Sequence, residues 1–354
     1  MVMLEEVFKF IDIVPKAELH VHLEGTMEPE TLLKCAARNG VVAPYTSIDE
    51  AREAYKFHDL QSFLDIYYRG CDVLKTSEDF YDLSMQYFTK AQEENVTVIE
   101  MFFDPQSHTS RGLSFDVFMS GILRAVEDAK LTLCVNVSLI MCFLRHLSEA
   151  SAMDTLEQAK PYYSHLLGVG LDSTEIGNPS SKFSRVMAQA KALGLHIVAH
   201  AGEEGDASYI WSALNDIGAE RIDHGVRSIE DPDLIVHLAC HPPTSLTVCP
   251  FSNLKLNVFQ SDDHAREILR KLLDRKGGLR ITLNSDDPAY FGGYVNANFK
   301  WVAGLLDLDL DQVAQIAKNS FLGSFLEEDQ KRLYCAQVDS VLQTMKEQEG
   351  GGKC

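Results

Sequence analysis

The sequence predicts a (β/α)8 barrel, and three observations carry that prediction. Eight short apolar runs, most of them rich in β-branched residues, recur along the 354 residues. Longer stretches with helical periodicity separate them, as strand-plus-helix units require. The first run is followed by HVHLEGT, which is not G-x-G-x-x-G, the phosphate loop usual after the first strand of the alternative fold, an open doubly wound sheet. Runs that are apolar throughout suit parallel strands covered on both faces.

In chain order, the first strand is KAELHVH (16–22), and residues 28–95 read as several helices inserted after it. TVIEMFF (97–103), TLCVNVSLI (132–140) and GVGLD (168–172) supply strands two to four. FSRVMAQAKALG (183–194) is helical in spacing and ends at a glycine beside strand five, LHIVAHA (195–201). Strands six and seven are RIDHG (221–225) and SLTVC (245–249). AREILRKLLDRKGG (265–278) repeats the helix-then-glycine pattern ahead of strand eight, RITLNS (280–285). Residues 346–354, ending in GGGKC, read as a flexible tail. No repeat or Pro/Gly/Ser-rich linker divides the chain, so 1–354 is expected to form one domain.

Composition narrows the function. With 45% hydrophobic and 24% charged residues, the chain is ordinary for a soluble globular protein. Its 32 basic and 52 acidic side chains leave a net charge of −20. That surface repels nucleic-acid phosphates and acidic lipid headgroups, so neither partner is expected. No apolar stretch is long enough to span a membrane, and the N-terminus lacks a secretory cleavage region. The eight cysteines are dispersed without C-x-x-C, as buried free thiols in a reducing compartment would be. The expected address is the cytoplasm, with nuclear entry left open; no oligomeric state is assigned.

Active sites of this fold lie at the C-terminal ends of the strands, and the chemistry-bearing residues collect there. Strand one ends in His20 and His22, strand five in His200 followed by Glu203, strand six in His224, and strand eight in Asp286 and Asp287. The i, i+2 spacing of His20 and His22 puts both imidazoles on one face of a strand. Buried inside a barrel they are costly unless something uses their lone pairs. With His200 and Asp286 they form a donor set suited to catalytic zinc, though iron or another divalent ion fits the same donors. One ion is expected, because strand four holds no lysine to bridge two metals and the H-x-E…P-C-x-x-C deaminase signature is absent. Glu203, three residues after His200, suits the acid that protonates a ring nitrogen during metal-assisted displacement at an aromatic carbon. Glu204 and Asp206 read as solvated loop carboxylates. His224 is assigned to orienting the attacking hydroxide, without being required or excluded as a ligand. Of the adjacent Asp286 and Asp287, one is expected to bind metal and the other substrate.

At these residues the sequence resembles the adenosine/adenine deaminase family of metal-dependent amidohydrolases. The resemblance rests on PKAELHVHLEGT (15–26), HAGEEG (200–205), RIDHGVRS (221–228), TVCPFSNLKLNV (247–258) and LNSDDPAYFGGY (283–294), in order along nearly the whole chain. It implies His20, His22, His200 and Asp286 as zinc ligands and Glu203 as the proton donor to purine N1. It likewise implies His224 as the orienter of hydroxide and Asp287 as the partner of purine N7. FFDPQSHTSRG (102–112) and LIMCFLRH (139–146) resemble the fungal and bacterial adenine deaminase branch. The adenosine branch has HLDG where this chain has HLEG with Glu24, and a glycine where this chain has Ser173, Thr174 and Glu175. Glu24 and Asp172 are therefore counted with Asp287 and Gly202 as substrate-binding candidates.

The resemblance thus implies hydrolysis of adenine to hypoxanthine and ammonia, by a metal-bound hydroxide attacking C6, as a step of purine salvage. The partner is a small purine base. Adenosine or N6-substituted adenines on the same scaffold are the alternative substrates. A catalytically dead purine-binding relative is the remaining rival, and it would usually have lost a ligand or the acid.

Overall fold

The computed structural model describes residues 2–351 apart from 241 and 275–277. Eight strands form one sheet in sequential order: Lys16–Glu18 (β1), Val96–Phe103 (β2), Asn136–Leu144 (β3), Leu166–Asp172 (β4), His196–Ala201 (β5), Arg221–His224 (β6), Ser245–Val248 (β7) and Arg280–Leu283 (β8). Each neighbouring pair is parallel. This is the (β/α)8 architecture the alternation of runs predicts. The strands are buried almost throughout, and helices cover them. Asp262–Leu272 shows why such helices form: Ser261 caps it through the His264 amide, and Ala265, Ile268, Leu269 and Leu272 place one apolar stripe against the core.

The ring closes between β8 and β1 by unusual means. The β1 ladder stops at Glu18, and beyond it single pairings join Val21 to Asp286 and His22 to Phe102. The His22 amide donates to Asp286 O (3.0 Å), and the Asp286 amide to His20 O (3.1 Å). Below that, side chains substitute for ladder bonds. Asn284 Oδ1 accepts from Leu19 N, Ser320 Oγ from Ala17 N, and Glu18 Oε1 from Ser285 N.

Val2–Ile13 (α1) precedes the barrel, and the segment between β1 and β2 folds as Pro29–Asn39 (α2), Ile48–Ala54 (α3), Leu60–Cys71 (α4) and Ser77–Glu93 (α5). A short helix, Pro105–Thr109 (α6), follows β2. A capping box of Asp59 and Ser62 starts α4. Its Phe63, Leu64 and Tyr67 pack with Leu256, Tyr290 and Phe291 as a roof over one end of the barrel.

Four boundaries differ most from expectation. The first strand, expected over 16–22, ends at Glu18, because beyond it only single pairings to Asp286 and Phe102 continue the sheet. The third strand runs 136–144 rather than 132–140, because residues 129–133 form a wide helical turn ended by Cys134 at φ +56°. Thr132 Oγ1 donates to Asp128 O and holds that turn, despite the β-branched run. The helix expected over 265–278 ends at Leu272, and residues 275–277 lie outside those described. The tail expected from 346 is helical through Gly351, with Lys346 paired to Asp311 at 2.7 Å; residues 352–354 lie outside the described chain. The seven described cysteines are free. Cys35, Cys71, Cys142 and Cys249 are buried as expected, whereas Cys134 and Cys240 are exposed. Among the described residues no helix is long and apolar enough to cross a membrane.

Candidate active site

Chain closure brings His20, His22, His200 and Asp286 together. One donor atom of each lies within 4.8 Å of all the others, and all four residues are buried. His20 Nε2 sits 3.2 Å and His22 Nε2 3.4 Å from Asp286 Oδ1. His22 Nε2 and His200 Nε2 face one another at 3.2 Å. Burial holds His22 below its ordinary pKa and His200 well below, so both stay neutral. Burial pushes Asp286 up, but the surrounding histidines, His20 first, outweigh it and hold the carboxyl well below the usual range. Neutral imidazoles with an ionised carboxylate are the protonation states a metal needs.

A hydrogen bond behind His20, and carboxylates farther behind His22 and His200, orient these rings. Thr247 Oγ1 donates to Asp223 Oδ1 (2.9 Å), so it accepts from His20 Nδ1 (2.9 Å), which turns His20 Nε2 toward Asp286 Oδ1. His22 Nδ1 is directed at Asp172 Oδ2 (3.6 Å), and His200 Nδ1 at Asp223 Oδ2 (3.7 Å). Each histidine thus turns its Nε2 to the common centre, with an oxygen behind its other nitrogen. Arg221 underlies the assembly, paired with buried Glu100 and lying 3.6 Å from Asp223 Oδ1. A second cluster, His20, His224, Cys249 and Asp286, also converges. It suits a metal less well: burial keeps the Cys249 thiol protonated, and Asn253 Nδ2, as oriented, donates to His224 Nδ1, placing the His224 proton on Nε2.

His224 Nε2 lies 3.6 Å from both Glu203 Oε2 and Asp286 Oδ2. Burial lowers its pKa to about 3. Burial, then the neighbouring Asp286 charge, pushes Glu203 and Asp287 well above the carboxylate range, so each can act as a hydrogen-bond donor. Asp286 and Asp287 share one cavity because Asp286 adopts φ +65°, which breaks strand alternation; His224, at φ +62°, does the same after β6. Gly25 leaves room for Asp287, since a Cβ there would collide with Asp287 Oδ1.

The cavity is narrow, with about 40 Å³ open to the centre of a water-sized sphere, and α4 roofs it. His22, His200, Glu203, His224, Asp286 and Asp287 line its floor and walls, and Asp172 joins them. Two expected substrate contacts lie one step back. Glu24 is buried in a turn, accepting from Asp104 N (3.2 Å) and hydrogen-bonded to His108 Nε2 (2.6 Å). Gly202, at φ +71°, gives its amide to Glu175 and swings Glu203 inward.

Sequence reasoning missed Asp104, Asp223, Thr247 and Arg145, and it noted Glu175 without a role. Glu175 accepts from the amides of Gly202, Glu203, Glu204 and Gly205, and so shapes the whole HAGEEG loop. Arg145 Nη1 donates to His200 O at 2.6 Å. Asp104 ends β2 as Asp286 follows β8, a strand-end signal that was available. Of the residues read as solvated, Asp206 does cap a helix in solvent, while Glu204 is only part-exposed.

A parallel barrel that gathers imidazole, carboxylate and a protonated glutamate at its strand ends has the make-up of an amidohydrolase-type deaminase. Residues 15–341 match the adenosine deaminase family, and the chain belongs to it. The adenine deaminase of Sphingopyxis alaskensis is 52% identical over 336 residues, covering 95% of this chain and 97% of that protein. The crystal structure of an adenine deaminase from Arthrobacter aurescens superposes with a TM-score of 0.88 at 42% identity, over 93% of this chain and 99% of that one. A Burkholderia ambifaria amidohydrolase solved with bound Zn has the same fold at 22% identity, with a TM-score of 0.86 over 96% and 94% of the two chains.

Proposed function

We propose that this chain hydrolyses adenine to hypoxanthine and ammonia, cleaving the C6–N bond of a cyclic amidine in purine salvage. The observation that carries the reading is 52% identity to an adenine deaminase along nearly the full length of both proteins. The narrow, roofed cavity suits a flat base.

His20, His22, His200 and Asp286 would hold one zinc ion. The partnerless Nε2 of His20 and the facing Nε2 atoms of His22 and His200 offer three converging imidazole donors, which fit it. When bound, the ion supplies water acidified to a pKa of about 7. His224 Nε2–H orients the nucleophilic oxygen, and Asp286 Oδ2 takes the proton it sheds on attacking C6. Glu203, kept protonated by burial, gives its proton to N1, so the ring nitrogen and not C6 takes the electron pair. The exocyclic amine then takes the proton held on Asp286 and leaves as ammonia. The oxygen on C6 loses its remaining proton to Glu203 as the carbonyl forms, which restores the acid. Asp287 donates to N7, and Asp172 orients His22 at the pocket wall. Glu24 and Gly202 act through the residues they position.

The test is ammonia release from adenine and from adenosine, side by side, on metal-analysed protein. Rapid release from adenine with little from adenosine is expected. The opposite preference refutes the nucleobase reading while leaving the donor set and the acid in place.

A further inference from the structure

A nucleoside differs from its base only at N9, so what stands beside N9 decides which of the two enters. Glu203 follows β5, His224 ends β6, and Asp286 and Asp287 follow β8. In the mechanism above these residues put N1, C6 and N7 on the β5–β8 side of the barrel. The remaining edge of the base, C2–N3–N9–C8, falls on the arc from β4 back to β1. Two positions on that arc are already filled. The Asp104 carboxyl, after β2, is hydrogen-bonded to Tyr67 OH (3.2 Å) and to the Asp172 carboxyl, and burial holds it well above the carboxylate range. Glu24, after β1, is bonded to His108 (2.6 Å).

Over the ends of β3 and β4 stands Tyr68 of α4. Its hydroxyl is hydrogen-bonded to Ser173 Oγ (3.0 Å) after β4, and Ser173 Oγ in turn to His146 Nδ1 (2.8 Å) after β3. Ser173 sits at φ +73°, a conformation serine seldom adopts, which marks a residue held by its surroundings. The Tyr68 ring also meets Tyr67 edge-on, with centroids 5.4 Å apart. Tyr68 lines the narrow cavity, and it equally lines a surface hollow of about 420 Å³ bounded by Gln106, Ser107, Arg111 and Leu144. Among the described residues it is the one side chain common to both, so it forms the wall between them.

We propose that Tyr68 selects free base over nucleoside: its ring occupies the path by which an N9 substituent would leave the cavity, and the hollow behind it is the space a sugar would need; this rests on the adenine reading above. A flat base ends short of the ring, whereas a glycosidic carbon and its pentose run into it. The bonds through Ser173 and His146 keep the ring from yielding cheaply, so the clash is a real cost to the nucleoside. Selection is then by an obstacle set against the wrong substrate rather than by an added contact to the right one.

The experiment measures kcat/KM for ammonia release from adenine and from adenosine on metal-loaded protein, and takes their ratio. The wild type should strongly prefer adenine. Tyr68→Ala opens the cavity to the hollow and should raise adenosine relative to adenine by about 10- to 100-fold. Tyr68→Leu, which shortens the wall but keeps an apolar side chain on α4, should move the ratio the same way by less. Tyr68→Phe keeps the ring and loses only the hydroxyl, so it should stay near the wild-type ratio. Because the ratio cancels the active fraction, a general folding defect does not move it. Folded, metal-loaded Tyr68→Ala and Tyr68→Leu that keep the wild-type ratio overturn the proposal. So does Tyr68→Phe as permissive as Tyr68→Ala, since the ring is then not the barrier. Wild-type protein that uses adenine and adenosine equally also overturns it, leaving adenine as a substrate. Absence of ammonia release from adenine by the wild type refutes the functional reading itself.

Discussion

Replacing Glu175 with glutamine tests whether the acid is placed by the loop that carries it. Glu175 Oε1 accepts from Gly202 N (2.8 Å), and Oε2 from Glu203 N (3.2 Å), Glu204 N (2.8 Å) and Gly205 N (2.8 Å). A glutamine has a single acceptor oxygen. In its better orientation it keeps the three amides and turns its NH2 against the Gly202 amide, leaving a buried donor unpaired at a cost of about 1–3 kcal/mol. The three remaining bonds lose their charge assistance, roughly halving each, for about another 1 kcal/mol apiece. Buried Arg145, whose charge Glu175 helps offset, loses that partner as well. The total of about 4–6 kcal/mol is an upper bound, because neighbouring bonds do not add. If half of it appears as displacement of Glu203, kcat falls by roughly 30- to 150-fold, since each 1.36 kcal/mol is tenfold. The assay is steady-state ammonia release at saturating adenine, with metal content and thermal midpoint measured on the same samples. Glu175→Gln within about threefold of wild-type kcat, folded and fully metallated, would refute the positioning argument.

The other expectations concern the acid, the donors and the buried ion pair. Glu203→Gln should fold and keep its metal yet lose about 10²- to 10⁴-fold in turnover; near-normal turnover removes Glu203 from the acid role. Burial raises the pKa of Glu203, and its protonated form is the active one. kcat/KM should therefore be sustained below that raised value and decline as pH rises through it; a rate still climbing at about pH 9 contradicts a protonated acid. His20→Ala should lose bound metal together with activity, as metal analysis of the purified variant would show; full metallation sinks the ligand assignment. Arg221→Leu strands Glu100 in the interior and should cost about 3–5 kcal/mol in denaturant unfolding, whereas a loss below about 1 kcal/mol means that the pair is not the support it looks to be.

The barrel and the core of its site were legible because both follow from local rules. Apolar runs mark strands, and His20, His22, His200, His224, Glu203, Asp286 and Asp287 all stand where those runs stop. What escaped depends on backbone angles and on contacts between distant segments. No local pattern announces that Asp286 or His224 adopts a positive φ, yet that geometry turns their side chains to the centre. Asp223 and Thr247 sit inside strands rather than at their ends, so a rule about strand ends passes over them. Glu175 acts on amides 27 to 30 positions further along the chain. The third strand begins four residues later than its β-branched run suggests, because Thr132 and Leu133 have strand-like side chains but lie in a helical turn.

The closure of the barrel has a consequence for how the protein is made. Asp286 lies 266 positions after His20, and the backbone bonds that join them also complete the ring. A growing chain carries His20 and His22 from the beginning and gains His200 with the fifth strand, but lacks their carboxylate partner until the eighth strand has emerged. The binding centre therefore appears late and all at once, as the final hoop around the staves. An ion captured there would fasten the earliest part of the polypeptide to one of the last. Release of that ion would loosen the same joint, so demetallation should unfasten the barrel first between its first and eighth staves.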